Sequence, residues 1–119
     1  MQAAIGVGGA ASGRQRDWQN SVEFVMEAEK LGVSYTWSAE AWGQDAVVPL
    51  AYLAAKTSTM KLATGIMQIS ARTPSMTAMT ALTLAAISDD RFVLGLGASG
   101  PQVVEGLQGA HRVVDGNSY

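Results

Sequence analysis

Short apolar runs alternate along the chain with segments whose apolar residues recur at helical spacing, and this alternation restricts the possible folds more than any other feature. The runs are AAIGV at 3–7, VSYTWSAE at 33–40, KLATGIMQI at 61–69 and RFVLGLG at 91–97. Most are apolar almost throughout, which is typical of strands covered on both faces, and the strand-plus-helix unit repeats roughly every 30 residues. The sequence therefore predicts a parallel sheet in the order βαβαβαβ. Two α/β architectures fit this order, an open doubly wound sheet and part of a (β/α)8 barrel.

Residues with helix-capping chemistry mark the three segments between the runs. Asp17 is predicted to cap the first helix, and Gly32 stands where a left-handed residue ends it. Asp45 is predicted to cap the second helix. The third helix opens with Thr73 as its cap and Pro74 at its first position, where the missing N–H of proline costs nothing.

Composition excludes several classes of function. The chain has 119 residues, of which 48% are hydrophobic and 15% charged, and its net charge is −2. These values fit one well-packed domain and leave no basic cluster for nucleic acid. The chain has no cysteine and a single histidine, His111, so we expect no metal site. No export signal is visible and no run reaches the ~18 apolar residues of a membrane span, so we expect a cytoplasmic protein without a membrane partner.

Three motifs follow one another in the order of a known family. They are TWSAEAWGQDA at 36–46, TGIMQISARTP at 64–74 and RFVLGLGASGPQVVEGLQG at 91–109. Over about residues 5–109 the chain strongly resembles the N-terminal part of the bacterial-luciferase-like monooxygenase family, particularly the members that use the deazaflavin coenzyme F420. The resemblance implies a TIM barrel whose cofactor, coenzyme F420 or FMN, lies at the C-terminal ends of the strands. The implied activity is that of an oxidoreductase, by monooxygenation or hydride transfer.

The loop after the fourth run is implied to face the cofactor. Its residues Gly97, Ala98, Ser99 and Gly100 carry little side-chain bulk, so the backbone can approach a planar ligand closely, and Ser99 adds a hydroxyl. The alternative interpretation is that the glycines only let the strand turn sharply. We expect the lack of side-chain bulk at Gly97 and Ala98 to matter most, since a β-branched side chain there would occupy the volume of the ligand and strain any positive φ angle.

Two other strand ends supply residues to the implied site. The step from Gly65 to Ile66 matches a non-prolyl cis peptide that lies against the cofactor ring in relatives. Glu40 matches an acidic residue near the reacting face, where we expect an exposed carboxylate, while Ala41 stands where relatives often have histidine. As an alternative, Glu40 forms a salt bridge with an arginine or caps a neighbouring helix. Two aromatic residues near these strand ends line the pocket or belong to the core: Trp37 and Trp42.

Two other interpretations of the sequence stay open. A small hydrolase would use Ser99 as nucleophile, His111 as base and Asp115 as orienting group. However, GASGP lacks the second glycine of the G-x-S-x-G nucleophile turn. The third possibility is an inactive fragment that merely folds.

Length separates this chain from a whole barrel, which takes about 250 residues. We expect residues 1–109 to form half a barrel of four βα units, and residues 110–119 to be a tail unlike the family. A truncated reading frame, a fragment or a foreign tail would explain both. A half barrel leaves two parallel edges unpaired, so we expect a homodimer or higher oligomer with strand four of each copy beside strand one of the other. Four apolar side chains are expected to face inward: Ile5, Val7, Ile66 and Val93.

Overall fold

The computed structural model of the chain describes residues 2–7 and 15–109. His111 and Asp115, the predicted partners of Ser99 in a hydrolase, lie outside the described residues. The predicted tail lies outside them too. Within the described ranges, no helix is long and apolar enough to cross a membrane.

A parallel sheet with helices in the connections forms the described part of the chain. Its strands lie in the order β1, β2, β3, β5 and are Ala4–Gly6 (β1), Tyr35–Ser38 (β2), Lys61–Thr64 (β3) and Phe92–Val93 (β5). A second parallel ladder joins Met67–Gln68 (β4) to Leu96–Gly97 (β6). The helices are Gln15–Lys30 (α1), Val47–Ala54 (α2) and Pro74–Ile87 (α3), with a 3-10 turn at Ile69–Ala71 and a π-helical segment at Gln102–Leu107. The predicted parallel α/β order is therefore confirmed.

The helices cover one face of the sheet and build the core against it. Ile5 lies in register with Thr36, which lies in register with Leu62, and Leu62 is a core residue. Side chains in register share a face, so Ile5 points towards the helices, and the buried Val7 follows two residues later. The predicted inward orientation of Ile5 and Val7 is therefore wrong. The core cluster consists of Val7, Val22, Val25, Ala28, Leu50, Leu53, Ala54, Met60 and Leu62.

The other face of the sheet, called the open face below, is exposed at Gly6 and Trp37, although Ala63 is buried. Gly6, Trp37 and Ala63 lie in register across it, and Val93 pairs with Ala63. Val93 therefore has the predicted inward orientation. In a closed (β/α)8 barrel this face would line the interior.

Both of the last two predicted strands are broken near their C-terminal ends. The third breaks at the peptide between Gly65 and Ile66, which is cis, as the family resemblance implies. The fourth breaks before β6, where the Thr64 hydroxyl donates to the Gly95 carbonyl (2.9 Å) and accepts from the Gly95 N–H (2.8 Å). A Cβ at Gly95 would stand 2.1 Å from the Thr64 carbonyl oxygen, so this position admits no side chain.

The predicted ends of α1 are partly confirmed. The helix begins at Gln15, so Asp17 lies inside its first turn and is not the cap. There its negative charge still complements the positive end of the helix dipole. Gly32 has the predicted left-handed conformation, with φ of 84°. Near this end of α1, one carboxylate oxygen of Glu29 accepts the backbone N–H groups of residues 58–60 at 2.7–2.9 Å, which fixes the chain entering β3.

The predicted cap of α3 is confirmed, whereas the N-cap of α2 is Ala46 and not the predicted Asp45. The Thr73 hydroxyl accepts from the Met76 N–H at 3.3 Å, and Pro74 is the first residue of α3. The Asp45 carboxylate accepts from the Val48 N–H at 2.6 Å, although one residue separates Asp45 from the start of α2.

A buried guanidinium holds together the end of the sheet at which the strands begin. Arg91, just before β5, donates to the carbonyls of Ser88 (2.7 Å), Ala54 (2.9 Å) and Met60 (3.1 Å) and to the Thr57 hydroxyl (2.8 Å). Ala54 and Ser88 lie at the C-terminal ends of α2 and α3, where a positive charge is favoured by the helix dipole. All four acceptors are neutral, so hydrogen bonds alone satisfy this buried cation within the described residues.

We expect Arg91→Lys to destabilise the fold by about 2 kcal/mol, because an ammonium keeps the charge and loses the planar fork that reaches four acceptors. Urea unfolding followed by circular dichroism measures the change. The control is Lys30→Gln, which removes an exposed ion pair with Glu27 and should change stability by less than about 0.5 kcal/mol. Equal changes in the two variants would contradict a structural role for Arg91.

Candidate functional site

The C-terminal ends of β2 and β3 and the start of the last loop bring several predicted site residues together. A Cβ at Gly65 would stand 2.9 Å from Trp37 Cε3, and a Cβ at Gly97 would stand 2.9 Å from Ile66 Cδ1. Both glycines are thus in close contact with a neighbouring side chain. We name Trp37, Gly65, Ile66 and Gly97 the strand-end platform.

Trp37 lies on the open face of the sheet and not in the core. Its indole stacks on Tyr35, with ring centroids 6.1 Å apart, and the residue is still 38% exposed. Gly6 is its neighbour in register, and a Cβ there would meet nothing within 4 Å. Trp37 and Gly6 therefore border open space that a planar group can enter. Trp42, in the loop after β2, is exposed.

The loop that begins at Gly97 is open to solvent along much of its length. Ala98 is exposed, and the Ser99 hydroxyl makes no hydrogen bond to the described residues. Ser99 has φ of 59°, so the left-handed position of the loop is at Ser99, and neither Gly97 nor Ala98 has a positive φ angle. The loop ends where the Gly100 carbonyl accepts from the Val103 N–H at 3.0 Å. A Cβ at residue 97 would stand 2.9 Å from Ile66 Cδ1 and 3.0 Å from Ile66 Cγ1, so the Ile66 side chain would have to shift.

Glu40 is held in an ion pair. The Arg72 guanidinium grips both carboxylate oxygens, at 2.6 and 2.9 Å, and also reaches Asp45 at 2.5 Å. The same carboxylate accepts the backbone N–H groups of Gln68 (2.7 Å) and Ala46 (3.3 Å). Its side chain is 8% exposed, so the predicted exposed carboxylate is wrong. Both features of the alternative are present, the salt bridge and the contact with the start of α2. A catalytic role for Glu40 stays a prediction.

These contacts determine the charge of Glu40. Burial raises the pKa of the carboxyl, while the hydrogen bonds from Arg72, Gln68 and Ala46 together lower it by more, so the pKa of Glu40 lies below its ordinary value of 4.5. The hydrogen bond to Glu40 is likewise the main cause that raises the pKa of Arg72. A carboxylate that stays ionised at neutral pH accepts hydrogen bonds and does not donate a proton. The sequence analysis did not identify Arg72 as a site residue. The only sign of it in the sequence is an isolated charge between an apolar strand and the cap of α3.

We expect Glu40→Gln to destabilise the protein by about 2 kcal/mol at pH 7, because the amide leaves the Arg72 charge without its bidentate partner. Since the folded-state pKa of Glu40 is depressed, its contribution is fully present above pH 4.5 and is lost as the pH falls through the folded-state pKa. The difference between parent and variant should therefore shrink on acidification.

Urea unfolding at neutral pH and at several pH values below 4.5 checks both points. Glu23→Gln, at an exposed position of α1, is the matched control. A pH-independent difference between the parent and Glu40→Gln would refute the ion-pair origin of this stability.

Comparison with known proteins identifies relatives of the whole described region. A model of the luciferase-like monooxygenase family matches residues 2–115. A protein of Mycobacterium tuberculosis H37Rv, named as a coenzyme F420-dependent oxidoreductase, is 52% identical over 91 residues, which are 76% of this chain and 26% of that relative. The chain therefore spans about a quarter of this curated relative. The predicted boundary at Gly109 stays a prediction.

Solved structures place the fold within larger enzymes. The FMN complex of the oxygenating constituent of 3,6-diketocamphane monooxygenase from Pseudomonas putida matches with a TM-score of 0.80 and 17% identity, over 92% of this chain and 32% of that chain. Coenzyme F420-dependent tetrahydromethanopterin reductase from Methanopyrus kandleri matches with a TM-score of 0.72 and 24% identity, over 92% and 30%. The parallel βα units thus correspond to part of a luciferase-like TIM barrel.

Proposed function

Because the chain belongs to the luciferase-like monooxygenase family, we propose that it binds the ring of a flavin-type cofactor at the C-terminal ends of its strands, as part of an oxidoreductase. The strand-end platform carries this proposal. It combines a half-exposed indole with small residues and a loop of little bulk, which suits the face of a planar ring. The M. tuberculosis relative favours coenzyme F420 over FMN.

The residues present fit such a ring on one face. Ile66 and the backbone from Gly97 to Ser99 would lie against it, and Trp37 would border it on the open face of the sheet. When bound, a deazaflavin supplies hydride transfer. The chain itself would contribute binding, orientation and exclusion of water, since the platform carries no ionisable side chain and the Glu40 carboxylate is engaged by Arg72.

We expect the purified protein to bind coenzyme F420 more tightly than FMN, measured by titration of cofactor fluorescence. Ala98→Val should raise the dissociation constant at least about tenfold, because a β-branched side chain on the exposed loop takes the volume of the ring. Ser99→Ala removes one hydroxyl and should weaken binding only severalfold. Ala55→Val, at an exposed position after α2, is the control for added bulk.

Ester hydrolysis by the same proteins tests the competing hydrolase. If Ser99 were a nucleophile, Ser99→Ala would abolish turnover by orders of magnitude. That result, together with a parent protein that binds neither cofactor, would overturn the proposed function. Unchanged background hydrolysis in Ser99→Ala supports it.

We further propose that the protein self-associates through the outer face of α2 and α3. Neither helix contains a charged residue. A face with few charges can meet its own copy across a two-fold axis with little opposition of like charges, so a second copy is the occupant that fits. Lys56, just after α2, places an ammonium 5.5 Å from the centroid of the Tyr52 ring at the edge of this face. The exposed apolar side chains on the two helices are Val48, Tyr52, Met76, Met79, Leu82 and Ile87.

Leu82→Glu should convert the assembly into monomers, because Leu82 is 72% exposed and a carboxylate there would be buried unpaired in the dimer. Sedimentation velocity at micromolar concentration measures the change. Leu31→Glu is the control, since Leu31 is 84% exposed after the end of α1. A dimer that survives Leu82→Glu would favour the pairing of strand edges predicted from the sequence.

A further inference from the structure

We propose that Gln68 is a positioning residue that fixes both sides of the loop at residues 97–100, acting through Gln108. The consequence for a cofactor rests on the proposed function. The consequence for the loop does not, because it follows from contacts within the chain.

Gln68 connects the strand ends to the segment after the loop. In β4 it pairs with Gly97, and its side chain is buried, with the residue 1% exposed. Its amide nitrogen donates to the Glu40 carbonyl at 3.1 Å, and its amide oxygen accepts from the Gln108 amide nitrogen. The Gln108 oxygen in turn accepts from the Ser70 hydroxyl at 2.8 Å.

These contacts lie on the two sides of the loop. The pairing with Gly97 holds the residue at which the loop begins. Gln108 closes the π-helical segment that follows, since its N–H donates to the Val103 carbonyl at 3.0 Å. One buried residue therefore contacts the first residue of the loop by backbone pairing and the chain after the loop by a side-chain hydrogen bond.

The loop itself has few contacts that would fix its path. Ala98 is exposed, and the Ser99 hydroxyl makes no hydrogen bond to the described residues. The position of these residues relative to Ile66 therefore depends on where the two sides of the loop are held. A site built on a loop requires such support from the residues behind it.

The neutral amides of Gln68 and Gln108 suit this task for an electrostatic reason. The Gln68 backbone N–H donates to the Glu40 carboxylate, which Arg72 already neutralises. A second buried carboxylate at position 68 would have no cation of its own and would face the Glu40 carbonyl oxygen. The amide supplies one donor and one acceptor in the orientation that the two neighbours require.

The experiment compares Gln68→Met and Gln108→Met, which keep side-chain length and remove the hydrogen bond, with their double variant. Gln19→Met, at an exposed position of α1, is the matched control. Hydrogen exchange of residues 97–109 in the protein without cofactor is the first readout. The dissociation constant of coenzyme F420 is the second.

We expect each single variant to raise the rate of hydrogen exchange in residues 97–109 about tenfold and to leave exchange in the rest of the fold unchanged. The dissociation constant of coenzyme F420 should also rise about tenfold. The double variant should lose less than the sum of the two single losses, because the hydrogen bond between the two amides is removed in all three variants. Gln68→Met additionally loses the bond to the Glu40 carbonyl, and Gln108→Met the bond from the Ser70 hydroxyl. Gln108→Lys keeps a donor for the Gln68 oxygen and should restore much of the loss. A merely structural role would raise exchange throughout the protein and would not respond to this rescue.

An increase in hydrogen exchange confined to other regions would overturn the proposal. Fully additive effects of the two substitutions in the double variant would overturn it as well. If Gln68→Met does not fold, Gln108→Met and its rescue decide the case. If the parent binds no cofactor, the proposed function fails, while exchange in residues 97–109 still confirms or refutes the positioning role.

Discussion

The bidentate pair of Glu40 with Arg72 is the interaction on which the architecture around the strand ends depends. It joins residues that are 32 positions apart in the sequence, one after β2 and the other before α3. The same carboxylate also holds the backbone of Gln68 in β4 and of Ala46 at the start of α2. Removing Arg72 would leave the buried Glu40 carboxylate without a cation, and removing Glu40 would leave Arg72 with Asp45 as its ion-pair partner, so the surrounding loops depend on the integrity of this pair.

The two ends of the sheet each contain an arginine, and the two guanidinium groups are stabilised by different kinds of partner. At the end where the strands begin, Arg91 is satisfied by neutral carbonyl and hydroxyl groups at the ends of two helices. At the end where they finish, Arg72 meets the carboxylates of Glu40 and Asp45. All four acceptors of Arg91 belong to the fold itself, whereas the second arrangement adjoins the strand-end platform, since the Glu40 N–H donates to the Ile66 carbonyl at 3.1 Å. Function is expected at the C-terminal ends of the strands in a parallel βα fold, and the polar network agrees with that rule.

Local signals predicted the features that depend on residues close in sequence. The cap formed by Thr73 and Pro74 and the left-handed Gly32 were correct, because each depends on backbone groups within a few positions. The predicted orientation of Ile5 and Val7 was wrong. The alternation of side chains in a strand of three residues does not indicate which of its two faces meets the helices. Arg72 was missed and the burial of Glu40 was not foreseen, since neither residue carries a local sign of its partner.

The sequence by itself determined the parallel order of strands and helices, the residues of the last loop and the likeness to a family. Periodicity, turn chemistry and motif order are properties of neighbouring residues, so they can be read before folding. Only the tertiary structure decided which face of each strand meets the helices, that Gly97 lies against Ile66, and that Gln68 connects Glu40 to Gln108. Those outcomes depend on strand register and on contacts between residues about 30 to 40 positions apart in the sequence. For such contacts the packing of the chain, and not the local conformational preference of a residue, determines which residues meet.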